Sequence, residues 1–312
     1  MSSPQFEPLT IADKANYEHY YEQAGTRISD VHFVSRMAWN AGFNYMRTEI
    51  EQTLLLLSPE SVFSTLHFSM PLGLQSADQA ERIIDCLWDD YAGRFGEAAG
   101  GEPHLRFLYL EKDDLKKFKF LKKYKTEFLM KPAYSDYVYR ADDLRYLKGK
   151  FYNGKRNHIN KFLRAYPDYQ FRLLTADDAE RCLELVKEWA ADREVDHDNL
   201  LDSDYRPIKT LFEHFDELGM SGGVVEVGRE LTAFSMLSRG CEDTSIVHIE
   251  KADTRYRGAY AAINKFSAEH VFPDVKWINR EEDMGIEGLH LAKQSYGPAY
   301  MVDKYEVRVT LR

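Results

Sequence analysis

Leu173-Leu174-Thr175-Ala176-Asp177-Asp178 repeats a pattern met near the start of the chain, Pro8-Leu9-Thr10-Ile11-Ala12-Asp13. In each copy a threonine follows apolar residues and precedes acidic ones, the order of a strand end passing into a helix N-cap with carboxylates in the first turn. The offset, about 165 residues, is close to half of the 312-residue chain. The elements after each copy match in order as well. In the first half, helical patterns to about Phe43 precede expected strands at Tyr45–Ile50, Thr53–Leu57 and Ser64–Met70, a long helix at Ala77–Phe95, and a strand at Leu105–Leu110. In the second half, helices around Ala179–Arg193 and Pro207–Leu218 precede strands at Gly223–Val227, Glu230–Ser238 and Ser245–Lys251. A helix at Tyr260–Phe272 and a strand at Val275–Asn279 come next. Two consecutive α/β units of one topology are the simplest reading, and 312 residues suffice for two ordinary domains. We place them at 1–143 and 144–312.

Composition bounds the class. The chain is 44% hydrophobic and 13% aromatic, which makes it globular. Apolar runs such as Leu54 to Leu57 fall far short of the roughly 20 residues that span a bilayer, and MSSPQFEPLT lacks signal-peptide order. A cytoplasmic protein with no membrane-spanning segment is expected. Cys86, Cys182 and Cys241 are odd in number and widely spaced, so we expect buried apolar thiols with no disulfide frame and no zinc site. The ten histidines show no ligand spacing, and no metal is expected. A net charge of −10 opposes nonspecific nucleic-acid binding, so any such contact needs a local patch.

One such patch is legible. LRYLKGKFYNGKRNHINKFLRAYP, 144–167, holds Arg145, Lys148, Lys150, Lys155, Arg156, Lys161, Arg164 and His158 with no acidic residue. Cations clustered against their own repulsion point to an anion, phosphate first. Periodicity from Asn153 to Ala165 predicts a helix with Ile159, Phe162 and Leu163 inward, and Gly154 leaves amides open at its start. Lys148, Lys155, Arg156 and Asn157 are the candidate phosphate ligands there; a solvated helix is the bland reading. A second run, Lys112 to Lys125, has helical period with interleaved acids and reads as a solvated face.

The order of elements, two helices, a meander, a strand feeding a helix, then strand, helix and final hairpin, resembles the GCN5-like N-acetyltransferase fold, here duplicated in tandem, each copy a mixed sheet flanked by helices. In that fold the turn after the fourth strand carries Gln/Arg-x-x-Gly-x-Gly/Ala around a pyrophosphate. This chain has Arg255-Tyr256-Arg257-Gly258-Ala259-Tyr260. Arg255 and Gly258 fit, with Arg257 beside them; Tyr260 replaces the small residue and crowds a phosphate, which counts against acetyl-coenzyme A. Three stretches, YLKGKFYNGKRNHINKF (146–162), VHIEKADTRYRGAYAAIN (247–264) and WINREEDMGIEGLHLAKQSYGPAYMVDKY (277–305), together resemble the lysyl-phosphatidylglycerol synthase C-terminal domain family, related to the Fem-type aminoacyltransferases. The resemblance implies transfer of an aminoacyl group from aminoacyl-tRNA to a small-molecule, peptide or lipid amine or hydroxyl, with the tRNA acceptor end as partner. Acyl-coenzyme A is the alternative donor, and a noncatalytic module that binds tRNA or a cell-wall precursor is the reading from another class.

Such transfer needs a deprotonated nucleophile, a stabilised oxyanion and a protonated leaving oxygen. Asn279 to Asp283 leave a strand end, where open α/β sheets place ligand groups. Lys293 and Tyr296, three residues apart, are expected on one helix face toward the reacting carbonyl or a terminal phosphate, with Asp283 or Glu250 as base or amine ligand and Arg280 on the donor. Alternation puts Glu250 on the face of His248 and opposite Ile249. His248 reads as a satisfied core histidine, and an Asp283–Lys293 ion pair is the bland version of that cluster. Lys155 and Arg156 are expected to face Asp283 and Lys293.

Overall fold

The computed structural model describes residues 4–61, 65–99, 101–191 and 205–312. Both copies of the repeated motif form the same capped turn. Thr10 and Thr175, extended at φ −131° and −128°, each close a capping box, with their amides donating to Asp13 Oδ2 (2.8 Å) and Asp178 Oδ2 (3.0 Å). Two reciprocal bonds satisfy amides that a helix start otherwise leaves unpaired. Each turn opens a helix, α1 (Lys14–Ala24) after the first and, later in the chain, Ala179–Ala191 after the second.

Two compact units result, Met1–Ser135 with Val302–Arg312, and Asp136–Met301. The first contains α1, α2 (Phe33–Phe43), α3 (Ala77–Ala99) and α4 (Leu115–Lys119) around a mixed sheet. Its strands are β1 (Glu7–Pro8), β2 (Met46–Ile50), β3 (Thr53–Ser58), β4 (His67–Ser69), β5 (Leu105–Leu110) and β6 (Tyr124–Met130), and the C-terminal strand β14 (Tyr305–Leu311) inserts between β5 and β6. The second contains β7 (Asp136–Arg140), α5 (Ala141–Tyr146), α6 (Asn153–Ala165), β8 (Tyr169–Leu173), α7 (Ala179–Ala191) and α8 (Arg206–Glu213). It continues with β9 (Ser221–Val227), β10 (Glu230–Arg239), β11 (Thr244–Ala252), α9 (Ala259–His270), β12 (Trp277–Asn279), α10 (Glu287–Gln294) and β13 (Tyr300–Val302).

The two sheets share one plan. The first runs β1-β2-β3-β4-β5-β14-β6 and the second, from its far edge, β8-β9-β10-β11-β12-β7-β13. Each is an antiparallel meander followed by a parallel pair, β4 with β5 and β11 with β12, joined through α3 or α9. The strand beside that pair comes from the other half of the sequence in both sheets. Residues 136–143, expected in the first domain, therefore lie in the second unit, and 302–312 lie in the first. The expected final hairpin does not form, because β14 pairs with β5 and β6 and not with β13.

Strand and helix positions otherwise follow the periodicity, shifted by a few residues. Ser64 and Arg193 lie outside the described residues. The Lys112–Lys125 run is helical only at α4, since Lys125 already belongs to β6, whose alternating burial packs Tyr124 inward. Cys182 is buried as expected, whereas Cys86 and Cys241 are half-buried. In the second unit, α6 and α9 pack Ile159, Phe162, Ala261, Ala262 and Ile263 into the core behind β11. That packing fixes the wall on which the candidate site stands.

Candidate active site in the second unit

β11 and β12 pair only at Thr244–Ile246 with Trp277–Asn279. Past Asn279 the chain turns away, with Arg280 N–H donating to the Tyr137 carbonyl and Glu281 in the left-handed region at φ +57°, while β11 runs on to Ala252. The notch between the two strands is filled by side chains. Arg280 crosses it and donates from Nη2 to Glu250 Oε1 at 3.0 Å, and Asn264 Nδ2 of α9 donates to Glu250 Oε2 at 3.1 Å. Arg280 and Glu250 side chains are 12% and 13% exposed. Burial opposes the arginine charge, but Glu250 and the phenols of Tyr139 and Tyr296 outweigh it, so the guanidinium stays charged.

Aromatic faces complete the cluster. The Arg280 guanidinium carbon lies 5.1 Å from the Tyr296 ring centroid and 5.8 Å from that of Tyr139. Lys155 Nζ sits 3.7 Å from the Tyr296 centroid and donates to Ser295 Oγ at 2.5 Å. Burial and then the Arg280 charge push the Lys155 ammonium down to about 8, against a smaller opposing pull from Glu250. Burial raises the Tyr296 phenol well above its ordinary value, so it remains a proton donor. Two polar atoms in this setting have no protein partner: Arg280 Nη1 and Asn264 Oδ1 are both buried and unbonded. Buried polar groups are normally satisfied, so an orphaned donor and acceptor beside one carboxylate mark a place for a polar ligand.

Of the residues singled out from sequence, Glu250, Arg280, Tyr296 and Lys155 converge here. Lys293 stands next to them but is already engaged, donating to the Arg280 carbonyl at 2.7 Å and to the Glu282 carbonyl. It holds the 280–282 turn closed and does not face a pocket, and burial followed by the Arg280 charge lowers its pKa. Tyr296 lies beyond the end of α10, so the shared helix face expected for the pair is not formed. Asp283 accepts from Tyr137 Oη at 2.5 Å and from Gly285 N–H at 2.8 Å, with His290 Nδ1 2.8 Å away. Burial alone would raise its carboxyl, but these bonds outweigh it and hold the group below its ordinary value. It makes no ion pair with Lys293; it staples the loop to β7.

The remaining candidates have local partners or stand exposed. Arg156 turns back to the carbonyls of Leu147 and Gly149 and to Asn153 Oδ1, closing the entry to α6. Arg145 is buried against the carbonyls of Ala268, Phe272 and Val275, where it ties α5 to the end of α9. Lys148 rests on Tyr146, and Lys148, Asn157 and Arg257 are exposed. The 255–260 loop is spent on the protein itself: Arg255 pairs with Asp253 and Glu188, and Ala259 N–H donates to the Tyr256 carbonyl. Gly258, at φ +99°, is a glycine because a Cβ there would lie 2.6 Å from the His158 carbonyl of α6. Its close approach is to a helix, so packing against α6 accounts for the glycine.

His248 departs from alternation. Met236 pairs with Ile249 and Leu237 with Val247, so His248 is the extra residue of a bulge, bonded to Ser238 Oγ (2.7 Å) and Glu281 Oε1 (3.1 Å), while Glu250 turns to α9. Burial pushes its pKa down to about 3, leaving a neutral, satisfied imidazole as expected. Sequence reading missed Tyr139 and Asn264. A lone asparagine in the apolar pattern Ala261-Ala262-Ile263-Asn264 was the available signal for the second.

The family model for phosphatidylglycerol lysyltransferase, C-terminal, matches residues 32–308. This chain belongs to that family. A conserved protein of unknown function from Bacteroides thetaiotaomicron is 30% identical to this lysyltransferase-family chain, with a TM-score of 0.85 over 98% of this chain and 100% of that one. An uncharacterized protein, MYCGA3080, of Mycoplasmoides gallisepticum is 26% identical over 196 residues, 60% of each chain, so the match spans about 60% of that relative's length. FemX shares the fold, with a TM-score of 0.61 at 10% identity, covering 97% of this chain and 96% of that one. The fold is thus the tandem GCN5-related N-acetyltransferase-like architecture, and the family is one of transferases. Among the described residues no helix is long and apolar enough to cross a membrane.

Proposed function

We propose that this protein transfers an aminoacyl group from aminoacyl-tRNA to an amine or hydroxyl acceptor, with the chemistry at the β11–β12 notch of the second unit. The observation that carries the reading is Arg280 Nη1, a buried charged donor with no protein acceptor in hydrogen-bond geometry. A donor of that type, fixed in place by Glu250 and by two tyrosine rings, suits the oxygen of an ester carbonyl as it becomes an oxyanion. Removing one such donor typically costs about 3–4 kcal/mol of transition-state stabilisation. Glu250 spends both oxygens on Arg280 and Asn264 and acts as a positioning residue. Lys155, held near half-neutral at about pH 8, is the group suited to take the proton of an acceptor ammonium as the amine attacks the carbonyl carbon. Tyr296, kept protonated, suits the leaving ribose oxygen. Asn264 Oδ1 offers an acceptor for the α-ammonium of the aminoacyl group.

Membership of the lysyltransferase family supports the donor class. Tyr260, in place of the small residue of the pyrophosphate turn, weighs against acyl-coenzyme A. The test is a screen of radiolabelled aminoacyl-tRNAs against soluble amines, peptides and phosphatidylglycerol vesicles, with Arg280→Met and Lys155→Met as controls. Arg280→Met should lose at least about 100-fold in transfer rate. Full activity in both folded variants would remove the assignment.

A further inference from the structure

The first unit holds a second buried arginine that the proposed chemistry does not use. Arg36 on α2 is 1% exposed. Its guanidinium carbon lies 4.8 Å from the Tyr45 ring centroid and 4.9 Å from that of Tyr109, and Nη1 donates to the Tyr45 hydroxyl at 3.0 Å. Nε and Nη2 are both buried with no protein acceptor in hydrogen-bond geometry, although the Tyr17 hydroxyl lies near the guanidinium. These two atoms form the side-on edge of a guanidinium, the fork whose parallel N–H groups match the two oxygens of a carboxylate.

The groups around the fork favour its charge: burial opposes it, but the phenols of Tyr45, Tyr17 and Tyr109 and the Asp30 carboxylate together outweigh burial. The carboxylate that faces it, Asp30, is paired with Lys304, and Arg106 is paired with Glu306 at 2.5 Å. Burial keeps His67 neutral, and Tyr17, Tyr45 and Tyr109 are held protonated, again by burial first. The guanidinium therefore stays charged, and buried charged donors are normally hydrogen-bonded. The backbone here is also built with effort. Tyr305 pairs with Leu110 and Val307 with Phe107, so Leu108 and Tyr109 bulge out of β5, and Tyr109 is held at φ +64°, a left-handed conformation unusual for a bulky residue. The bulge is what lays the Tyr109 ring against Arg36, and strain of this kind persists where the surroundings enforce it.

We propose that the first unit carries a carboxylate-binding site, in which the Nε–Nη2 edge of Arg36 receives both oxygens of a monoanionic carboxylate. Two ring contacts and the Tyr45 bond take up the faces and one end of the guanidinium, and its remaining pair of parallel N–H groups matches a flat carboxylate better than a tetrahedral, dianionic phosphate. Asp30 and Tyr109, both neighbours of the guanidinium, are half-buried. The inference stands apart from the transfer reaction and survives its failure.

Calorimetric titration of the full chain with glycine, N-acetylglycine and inorganic phosphate tests it. Saturable one-to-one binding of a carboxylate is expected; tighter N-acetylglycine identifies a peptide C-terminus as the source, tighter glycine a free amino acid. Arg36→Lys keeps the charge without the fork and should weaken the better carboxylate by about 10- to 100-fold. Phosphate binding more tightly than both carboxylates, no saturable carboxylate binding, or equal affinity in Arg36→Lys would each overturn the site. If the variant does not fold, a crystal of the unaltered chain soaked in N-acetylglycine decides: carboxylate density on Nε and Nη2 supports the assignment, and water alone overturns it.

Discussion

Replacing Glu250 by glutamine tests whether the notch is held by one buried ion pair. The substitution preserves shape and removes the negative charge opposite Arg280, whose side chain is 12% exposed. Breaking a buried pair from one side costs about 3–5 kcal/mol, because the surviving charge is left uncompensated. The glutamine carbonyl still accepts one bond, from Arg280 or from Asn264, which restores about 1 kcal/mol. The expected net loss is therefore about 2–4 kcal/mol. Removing both charges together, Glu250→Leu with Arg280→Met, should cost less than the sum of the single changes by about 2 kcal/mol or more, since neither charge is then stranded. Urea unfolding followed by tryptophan fluorescence reads the total, and amide hydrogen exchange along β11 locates it, which matters in a chain of two units whose unfolding need not be two-state. A Glu250→Gln loss under about 0.5 kcal/mol, or an additive cycle, would refute the reasoning, since it would mean that solvent or another group already balances Arg280.

Further outcomes rest on the same geometry. If Lys155 takes the acceptor proton, transfer rate rises with pH through about 8 and levels off above it, and Lys155→Met flattens that limb; a limb unchanged in the variant assigns the titration elsewhere. The same lowered pKa sets a sign for stability: the unfolded chain binds the proton more tightly between about 8 and 10.5, so stability contributed by this group rises with pH across that window and is lowest below it. Asp283→Asn should cost about 1–3 kcal/mol and add little to Tyr137→Phe, because one bond joins them. Its lowered pKa means that the stabilisation is present above the ordinary carboxylate range and lost as pH falls through the folded value. Gly258→Ala should destabilise by about 1–3 kcal/mol from its φ of +99° alone, with the His158 carbonyl adding to the cost; an unchanged melting temperature would contradict the packing role.

Much of the fold was readable because it is written twice. The Thr10 and Thr175 turns use the same capping chemistry, and that local signal fixed where each meander begins. The exchange of β7 and β14 between sheets was not readable, since Asp136–Arg140 and Tyr305–Leu311 carry ordinary strand patterns that name no partner. At the site, Glu250, Arg280, Tyr296 and Lys155 stood out as charged or aromatic groups near strand ends and a basic helix. Lys293 and Asp283 stood out equally well, but their partners are backbone carbonyls and a tyrosine from β7, and no sequence pattern specifies those. The bulge at His248 shows the same limit, because one inserted residue undoes the alternation that assigned it to the face of Glu250. Most cations of the 144–167 run serve helix entry or stand in solvent, whereas Lys155 meets the Arg280 cluster.

The most direct measurement is single-turnover transfer from a panel of charged tRNAs to amine, peptide and lipid acceptors, comparing the unaltered chain with Arg280→Met after confirming that both are folded. We expect transfer from at least one aminoacyl-tRNA, reduced by about 100-fold or more in the variant while tRNA binding is retained. Transfer that proceeds equally well without the Arg280 guanidinium would contradict the account.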